Sequence, residues 1–352
     1  MKLKYFTLLL TSGAILSSCA PTIKDLNKYQ KQFLSKTEYM PSEDALANKP
    51  PKVVVFALDE NSNQVATQAQ LGNTIANNVE NVLAKNRLAE LVDRNAGTKL
   101  QKEIALAEMN KTGSYKGPKV ADYAISGTIS NAGFTSKYSK GGVYYSPSSG
   151  WVSIPPSFKY SSDVSGNLKI YELPSLTVVE AIEFKGKKTR TENVRQDGGI
   201  SLGGFQIGGK ELEGTQRDDS LVRKAGEDAV NDISVSIQNS FAKKGYVLEK
   251  RLYKDKTIFK ISIGSMDGIK HGDKFEISGQ FEVENAITNK SEIERRIITS
   301  GTVTDKIDPK TCWVVVDDSD LANSVRLGDS VKMKYEKHWF AGVSKMIESY
   351  SD

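Results

Sequence analysis

Two cysteines, two histidines and three tryptophans among 352 residues leave little material for several common chemistries. The cysteines are Cys19 and Cys312, far apart, and Cys312 is flanked by Thr311, Trp313 and a run of valines. It reads as a buried strand residue, and with Cys19 consumed by processing no internal disulfide is available. His271 falls in a turn and His338 in the C-terminal tail. Neither has cysteines, histidines or carboxylates at zinc-binding spacing, and neither sits near a nucleophile elbow. Residues 204–210 have glycine and lysine at phosphate-loop spacing, but Glu211 stands where a magnesium-binding hydroxyl belongs. Asp317, Asp318 and Asp320 lack the twelve-residue loop and terminal glutamate of an EF-hand. The expectation is therefore no catalytic residue, no cofactor and no metal: not an enzyme. Charge of one sign is also scarce. Lys and Arg number 48 against 43 Asp and Glu, a net charge of +5, too even to argue for nucleic acid. No uncharged apolar run after Leu16 approaches the ~20 residues of a membrane-spanning helix. Any crossing would have to use hairpins contributed to a closed barrel.

The start of the chain does carry a signal. Lys2 and Lys4 precede an apolar run over residues 6–16, and Leu16, Ser17 and Ser18 lead directly into Cys19. A basic start, a short apolar core and small residues at the cut make a secretory leader. The last four residues resemble the lipobox of bacterial lipoproteins. That resemblance implies cleavage before Cys19, lipidation of Cys19 and residence outside the cytoplasm. Ala20, in place of an aspartate, implies the outer membrane, with the protein on its periplasmic side. Several acyl chains would anchor it stably where one would not.

The remaining chain reads as two domains behind a tether. Residues 1–18 are the leader and residues 19–51, polar and proline-containing, read as a lipidated tether. Residues 52–244 carry an α/β pattern. It comprises a buried strand near 53–58, a helix with Leu71, Ile75, Val79, Val82 and Leu83 on one stripe, and a strand at 88–92. A second helix follows with Leu100, Ile104 and Ala107 facing inward, then a strand at 122–129. Val164, Gly166, Leu168 and Ile170 alternate with polar residues as in a half-buried strand, and residues 177–185 pair back on it. A long helix over 218–243 buries Val222, Ala229, Ile233, Ile237 and Phe241. Residues 245–336 read as short strands with Gly-Asp turns, a small all-β barrel. Residues 337–352 place Trp339, Phe340, Val343, Met346, Ile347 and Tyr350 at helical spacing, an amphipathic tail. The fold class expected is α+β, an α/β domain with long β-hairpin insertions followed by the barrel.

Three stretches carry a family likeness: residues 52–56 (Lys-Val-Val-Val-Phe), 88–94 (Leu-Ala-Glu-Leu-Val-Asp-Arg) and 121–129 (Ala-Asp-Tyr-Ala-Ile-Ser-Gly-Thr-Ile). With their order, they resemble the periplasmic domain of the CsgG-like lipoproteins, the superfamily of the curli secretion channel. Residues 261–275 and 326–331, with Gly272-Asp273 and Gly328-Asp329, resemble turns of FlgT-like C-terminal domains. The resemblance implies assembly or secretion of an extracellular or envelope structure, with the chain as a ring-forming or scaffold subunit. It also implies a homo-oligomer, lipid contact through Cys19, and protein partners in an envelope or secretion complex. Two readings stay beside it: an LpoB-like regulator of a periplasmic enzyme, and a flagellar basal-body accessory protein without a pore.

In the pore version, two hairpins at about 134–160 and 187–216 enter the membrane. In the first, Val152, Ile154, Phe158 and Tyr160 alternate as candidate lipid-facing residues, with Tyr144, Tyr145 and Trp151 as candidate interfacial aromatics; in the second, Ile200, Leu202, Phe205 and Ile207 could face outward. Pro147, Pro155 and Pro156 oppose the first, since proline removes a ladder hydrogen bond. Lys187, Lys188, Arg190, Glu192, Arg195 and Asp197 crowd the second. Ordinary periplasmic loops are the competing expectation for both segments.

Overall fold

The computed structural model describes residues 20–47, 49–94, 100–102, 104, 121–193, 200–202, 205–207, 217–285 and 290–337. The leader, Cys19, Ala107 and the amphipathic tail fall outside the described residues. The chain divides into two units: Lys49–Ala242 with Tyr335–Asp352, and Met1–Asn48 with Lys243–Lys334. Ahead of the first of these come β1 (Gln30–Gln32) and the one-turn helix α1 (Glu43–Leu46), which belong to the second.

The sheet unit is built on five strands in the order β3-β2-β4-β7-β8. They are β2 (Lys52–Val55), β3 (Glu90–Val92), β4 (Tyr123–Ser139), β7 (Ser157–Glu172) and β8 (Thr177–Asn193). β2 runs parallel to both β3 and β4, whereas β4, β7 and β8 are antiparallel. Val53 and Val55 point to one face and Val54 and Phe56 to the other. Both faces of this strand are buried, which accounts for its uninterrupted apolar run. The first face is covered by α2 (Gln64–Ala69), α3 (Leu71–Lys85) and α4 (Asp219–Ser240). Leu71, Ile75, Val79 and Leu83 of α3 and Val222, Ala229, Ile233 and Ile237 of α4 all enter this core. On the other face Leu100 and Ile104 pack with Val54, Phe56, Ala121 and Ala124.

The expected α+β fold class with an α/β domain is corrected by the strand content. Among the described residues 48% are in strands and 23% in helices, so the protein is mostly β. The excess comes from β4, β7 and β8, which run for 17, 16 and 17 residues. They do not stop at the core edge where the insertions were expected to begin. The backbone ladder continues beyond the core to Ser139 and Ser157, although Ser and Lys interrupt the apolar alternation there. Two further pairs form separate two-stranded sheets: β5 (Gly142–Ser146) with β6 (Gly150–Ile154), and β9 (Ile200–Leu202) with β10 (Phe205–Ile207).

The second unit contains the small all-β barrel. Six antiparallel strands, β11 (Lys244–Tyr253), β12 (Lys256–Ile261), β13 (Lys274–Asn285), β14 (Lys290–Ile307), β15 (Cys312–Val316) and β16 (Ser330–Lys334), follow the order β11-β12-β15-β14-β13-β16. Pairing of β11 with β16 closes the ring. Phe259, Phe275, Ile277, Val303, Val314 and Val331 are buried. Cys312 is buried as well. Burial first, and the negative charges of Asp273, Asp267 and Asp308 after it, push its thiol up to about 12. At pH 8 only about one such thiol in ten thousand is the reactive thiolate. In a chain beginning at Ala20, Cys312 should resist a disulfide reagent in the native state and react fully in denaturant. Rapid native labelling would contradict the burial.

The segment expected as a tether is instead a strap on this barrel. Ile23 is 1% exposed and packs with Ile258 and Trp313. Its N–H donates to Asp305 Oδ1 at 2.6 Å. β1 pairs with β11, aligning Gln30 with Leu252 and Gln32 with Lys250. Further on, Leu327 N–H donates to Ser35 O and Thr37 N–H to Leu327 O.

Candidate functional site

β4 and β7 leave the core together and carry the β5–β6 pair at their end, which makes an arm. Its hairpin turn follows from local chemistry. Ser149 N–H donates to Ser146 O, Pro147 occupies the second turn position, and Gly150 has φ +72°. That matches a type I turn closed by a left-handed glycine. Register places Tyr145 opposite Trp151, Tyr144 opposite Val152 and Val143 opposite Ser153. The Tyr145 and Trp151 rings meet edge to face at 5.5 Å.

Paired residues share a face and successive residues alternate faces. One face of the tip therefore carries Val143, Tyr145 and Trp151, and the other Tyr144, Val152 and Ile154. Trp151 is 75% exposed, Tyr145 62%, and Val143, Tyr144 and Ile154 at least half. Both faces are thus apolar and open. A strand in a water-filled membrane barrel would have one polar, lumen-facing side.

Nearer the core the arm is two-sided. Phe134, Tyr160, Phe158 and Tyr138 form a ladder on the face toward α4, with successive ring centroids 6.0, 6.1 and 5.0 Å apart. The opposite face presents Thr135, Ser161, Lys137 and Lys159, with Lys137 directly across from Lys159. Of the sequence candidates, Phe158 and Tyr160 do not face outward. They are buried with Leu221, at the start of α4. The alternation that linked them to Val152 and Ile154 is interrupted at Pro155 and Pro156, between β6 and β7. Ile200 and Leu202 lie in β9 and Phe205 and Ile207 in β10, but their side chains are outside the described set.

A charged bracket ties the arm to α4. Arg190 of β8 lies over the Tyr160 ring, 5.3 Å from its centroid. It pairs through Nη1 with Asp218 at 2.8 Å and through Nη2 with Glu192 at 2.9 Å. Its Nε is buried without a hydrogen-bond partner among the described residues. Lys188, one step inward on the same face, pairs with Asp228 at 3.8 Å. These cations, which in the sequence argued only against a membrane strand, hold β8 to the helix. Neither Arg190 nor Asp218 could be picked out as a partner beforehand, because they are distant in sequence and follow no motif.

Asp218 also caps α4. Its Oδ1 accepts from the N–H groups of Ser220 (2.9 Å) and Leu221 (3.1 Å) and from the Ser220 hydroxyl (2.6 Å). Burial pushes this carboxyl up, but the Ser220 and Leu221 donors and Arg190 outweigh it and hold it below its usual value. A carboxyl lowered on folding stabilises the native state above its unfolded pKa of about 3.9 and loses that contribution as pH falls through the folded value. Asp218→Ala should therefore cost about 1–2 kcal/mol at pH 7, the loss of a cap with its ion pair. The gap from the parent should begin to narrow below about pH 4, where the unfolded carboxyl takes up a proton before the native one does. Denaturant titrations at pH 7 and pH 3 test this. An equal gap at both values would show that the cap acts without its charge.

A scan of protein-family models finds no match for this chain, and a search of the curated proteins finds none either.

Proposed function

We propose that this protein is a non-catalytic outer-membrane lipoprotein, held through Cys19 on the periplasmic side. It acts as a ring-forming or scaffold subunit in assembly or secretion of an extracellular or envelope structure. The observation that carries this reading is the braced arm with exposed apolar side chains on both faces of its tip. A contiguous exposed apolar patch marks an interaction surface, and exposed tyrosine and tryptophan are the side chains that dominate such contacts. Two apolar faces suit an element inserted between neighbours. Kinship with the CsgG-like lipoproteins is part of the proposal. Its three stretches form the adjacent strands β3, β2 and β4.

A secretion pore built from the arms is the second reading. It rests on the length of the β4–β7 ladder, which runs to residues 139 and 157, and not on the aromatic ladder, whose Phe158 and Tyr160 are buried with Leu221. Oligomeric mass of the detergent-purified mature chain, taken with single-channel conductance in planar bilayers, tests both. A defined silent oligomer is the expected result. Large stable conductance from a ring would establish the pore. A silent monomer would overturn the subunit reading and favour the tethered regulator.

A further inference from the structure

A free tether of some thirty residues would let the folded part wander about 30 Å from its anchor. The structure removes that freedom at its first described residue. A Cβ built on Gly272 would lie 3.2 Å from the Ala20 Cβ. His271 Nε2 is 3.0 Å from the Pro21 carbonyl oxygen, and since that oxygen only accepts, the ring must donate from Nε2. Ile23 is then plugged against Ile258 and Trp313, with its N–H on Asp305. Three successive contacts, to the 268–274 turn, to β14 and to the barrel side chains, fasten residues 20–23. Ala20, the residue held against Gly272, is the one bonded to Cys19 in the sequence, and consecutive Cα atoms are about 3.8 Å apart.

We propose that residues 20–37 are a clamp: they fix the lipid-bearing end of the chain to the His271–Gly272 turn, so that this end of the barrel rests on the lipid headgroup surface. The inference rests on lipidation of Cys19, as does the function proposed above. Acyl chains on a residue one step from the barrel cannot enter a bilayer unless that turn comes down to the headgroups. Lys270 in the turn and Lys24 in the strap are exposed and are balanced by Asp273 and Asp25 beside them, so no net negative charge from these pairs holds the turn off an anionic headgroup surface. Gly272 bonds Val303, which aligns through Val314 with Phe259, so the turn that joins β11 to β12, four residues before Phe259, lies about 13 Å away along the strand.

The test uses the full mature chain, acylated in cells and reconstituted in phosphatidylethanolamine–phosphatidylglycerol vesicles containing a headgroup-linked nitroxide lipid. A fluorophore is placed at Lys270→Cys or, as reference, at Lys254→Cys, with buried Cys312 unlabelled. Quenching at 270 should exceed that at 254 several-fold. A fifteen-residue Gly-Ser insertion between Ala20 and Pro21 leaves every strap contact from Pro21 onward in place but restores a reach of about 20 Å. It should bring quenching at 270 down to the reference level. Ile23→Asp, which ejects the plug, should do the same. A vesicle-bound, acylated chain with equal quenching at the two sites, or one unaffected by the insertion, would overturn the clamp and leave the anchor standing. Absence of acyl groups on Cys19 by mass spectrometry would overturn the anchor, and the inference with it.

Discussion

Gly186→Ala should destabilise the sheet unit by about 3 kcal/mol or prevent its folding, although the change adds one methyl group. Gly186 lies on β8 where the strand passes beneath α4. A Cβ placed there would sit 2.0 Å from the Ala225 carbonyl oxygen, 2.6 Å from Ala229 N and 2.8 Å from Ala229 Cβ. Two of these are backbone atoms in the middle of a 22-residue helix, so no side-chain rotation relieves the clash. Strand and helix must separate, yet Leu221, Val222, Ala225, Ala229, Val230, Ile233 and Ile237 of that helix are all buried. Overpacking a core typically costs about 1–3 kcal/mol, and an obstacle made of backbone belongs at the upper end. Lifting α4 would also draw Asp218 from Arg190 and loosen the root of the arm. Gly142→Ala is the control, since an added Cβ there meets nothing within 4 Å, and it should stay within about 0.5 kcal/mol of the parent. Chemical denaturation of both variants measures the difference. A Gly186→Ala chain as stable as the parent would mean that strand and helix are not held this close.

How far the sequence reveals such features depends on how local their causes are. The stripe Leu71, Ile75, Val79, Leu83 is a property of one helix, and all four residues are buried. The long C-terminal helix of the sheet unit and the barrel strands are legible for the same reason, since period and turn residues lie within each element. Leu100 and Ile104 were likewise expected to face inward and do. The strap was not legible. Gln30, Lys31 and Gln32 enter the ladder through their backbone, and their polar side chains carry no apolar alternation to read. Ile23, Leu26 and Tyr29 all pack in one cluster on the barrel, but a spacing of three over only seven residues is too short to read as a helix or a strand. Strand length is not legible, because Ser, Lys and Pro interrupt the apolar alternation while the backbone ladder of β4 and β7 continues to residues 139 and 157. At the arm, the tip aromatics were visible as residue types in a hairpin. That Phe158 and Tyr160 turn inward depends on Leu221, some sixty residues further on, and on the Asp218 side chain that positions Arg190. Only the fold brings those together.

On the proposed subunit reading, Trp151→Ser combined with Tyr145→Ser should abolish self-association while leaving the fold intact. The two rings contact each other across β5 and β6 and lie outside every core cluster. Their edge-to-face contact is worth about 0.5–1.5 kcal/mol within the hairpin itself, and the hairpin is distant from the elements that set the stability of the unit. Thermal unfolding should therefore move by little. At an interface the balance reverses. Truncating a central aromatic contact typically costs at least ~2 kcal/mol, a factor of about 30 in the association constant for each residue, and about a thousandfold for the pair if the losses add. Sedimentation or mass photometry of the mature chain in detergent should then show the parent oligomer replaced by monomer at the same concentration. The paired variant Tyr144→Ser with Ile154→Ser probes the other face of the tip. Loss of the oligomer in both cases would fit a tip inserted between two neighbours, loss in one alone a single contact, and loss in neither would remove the arm from the assembly.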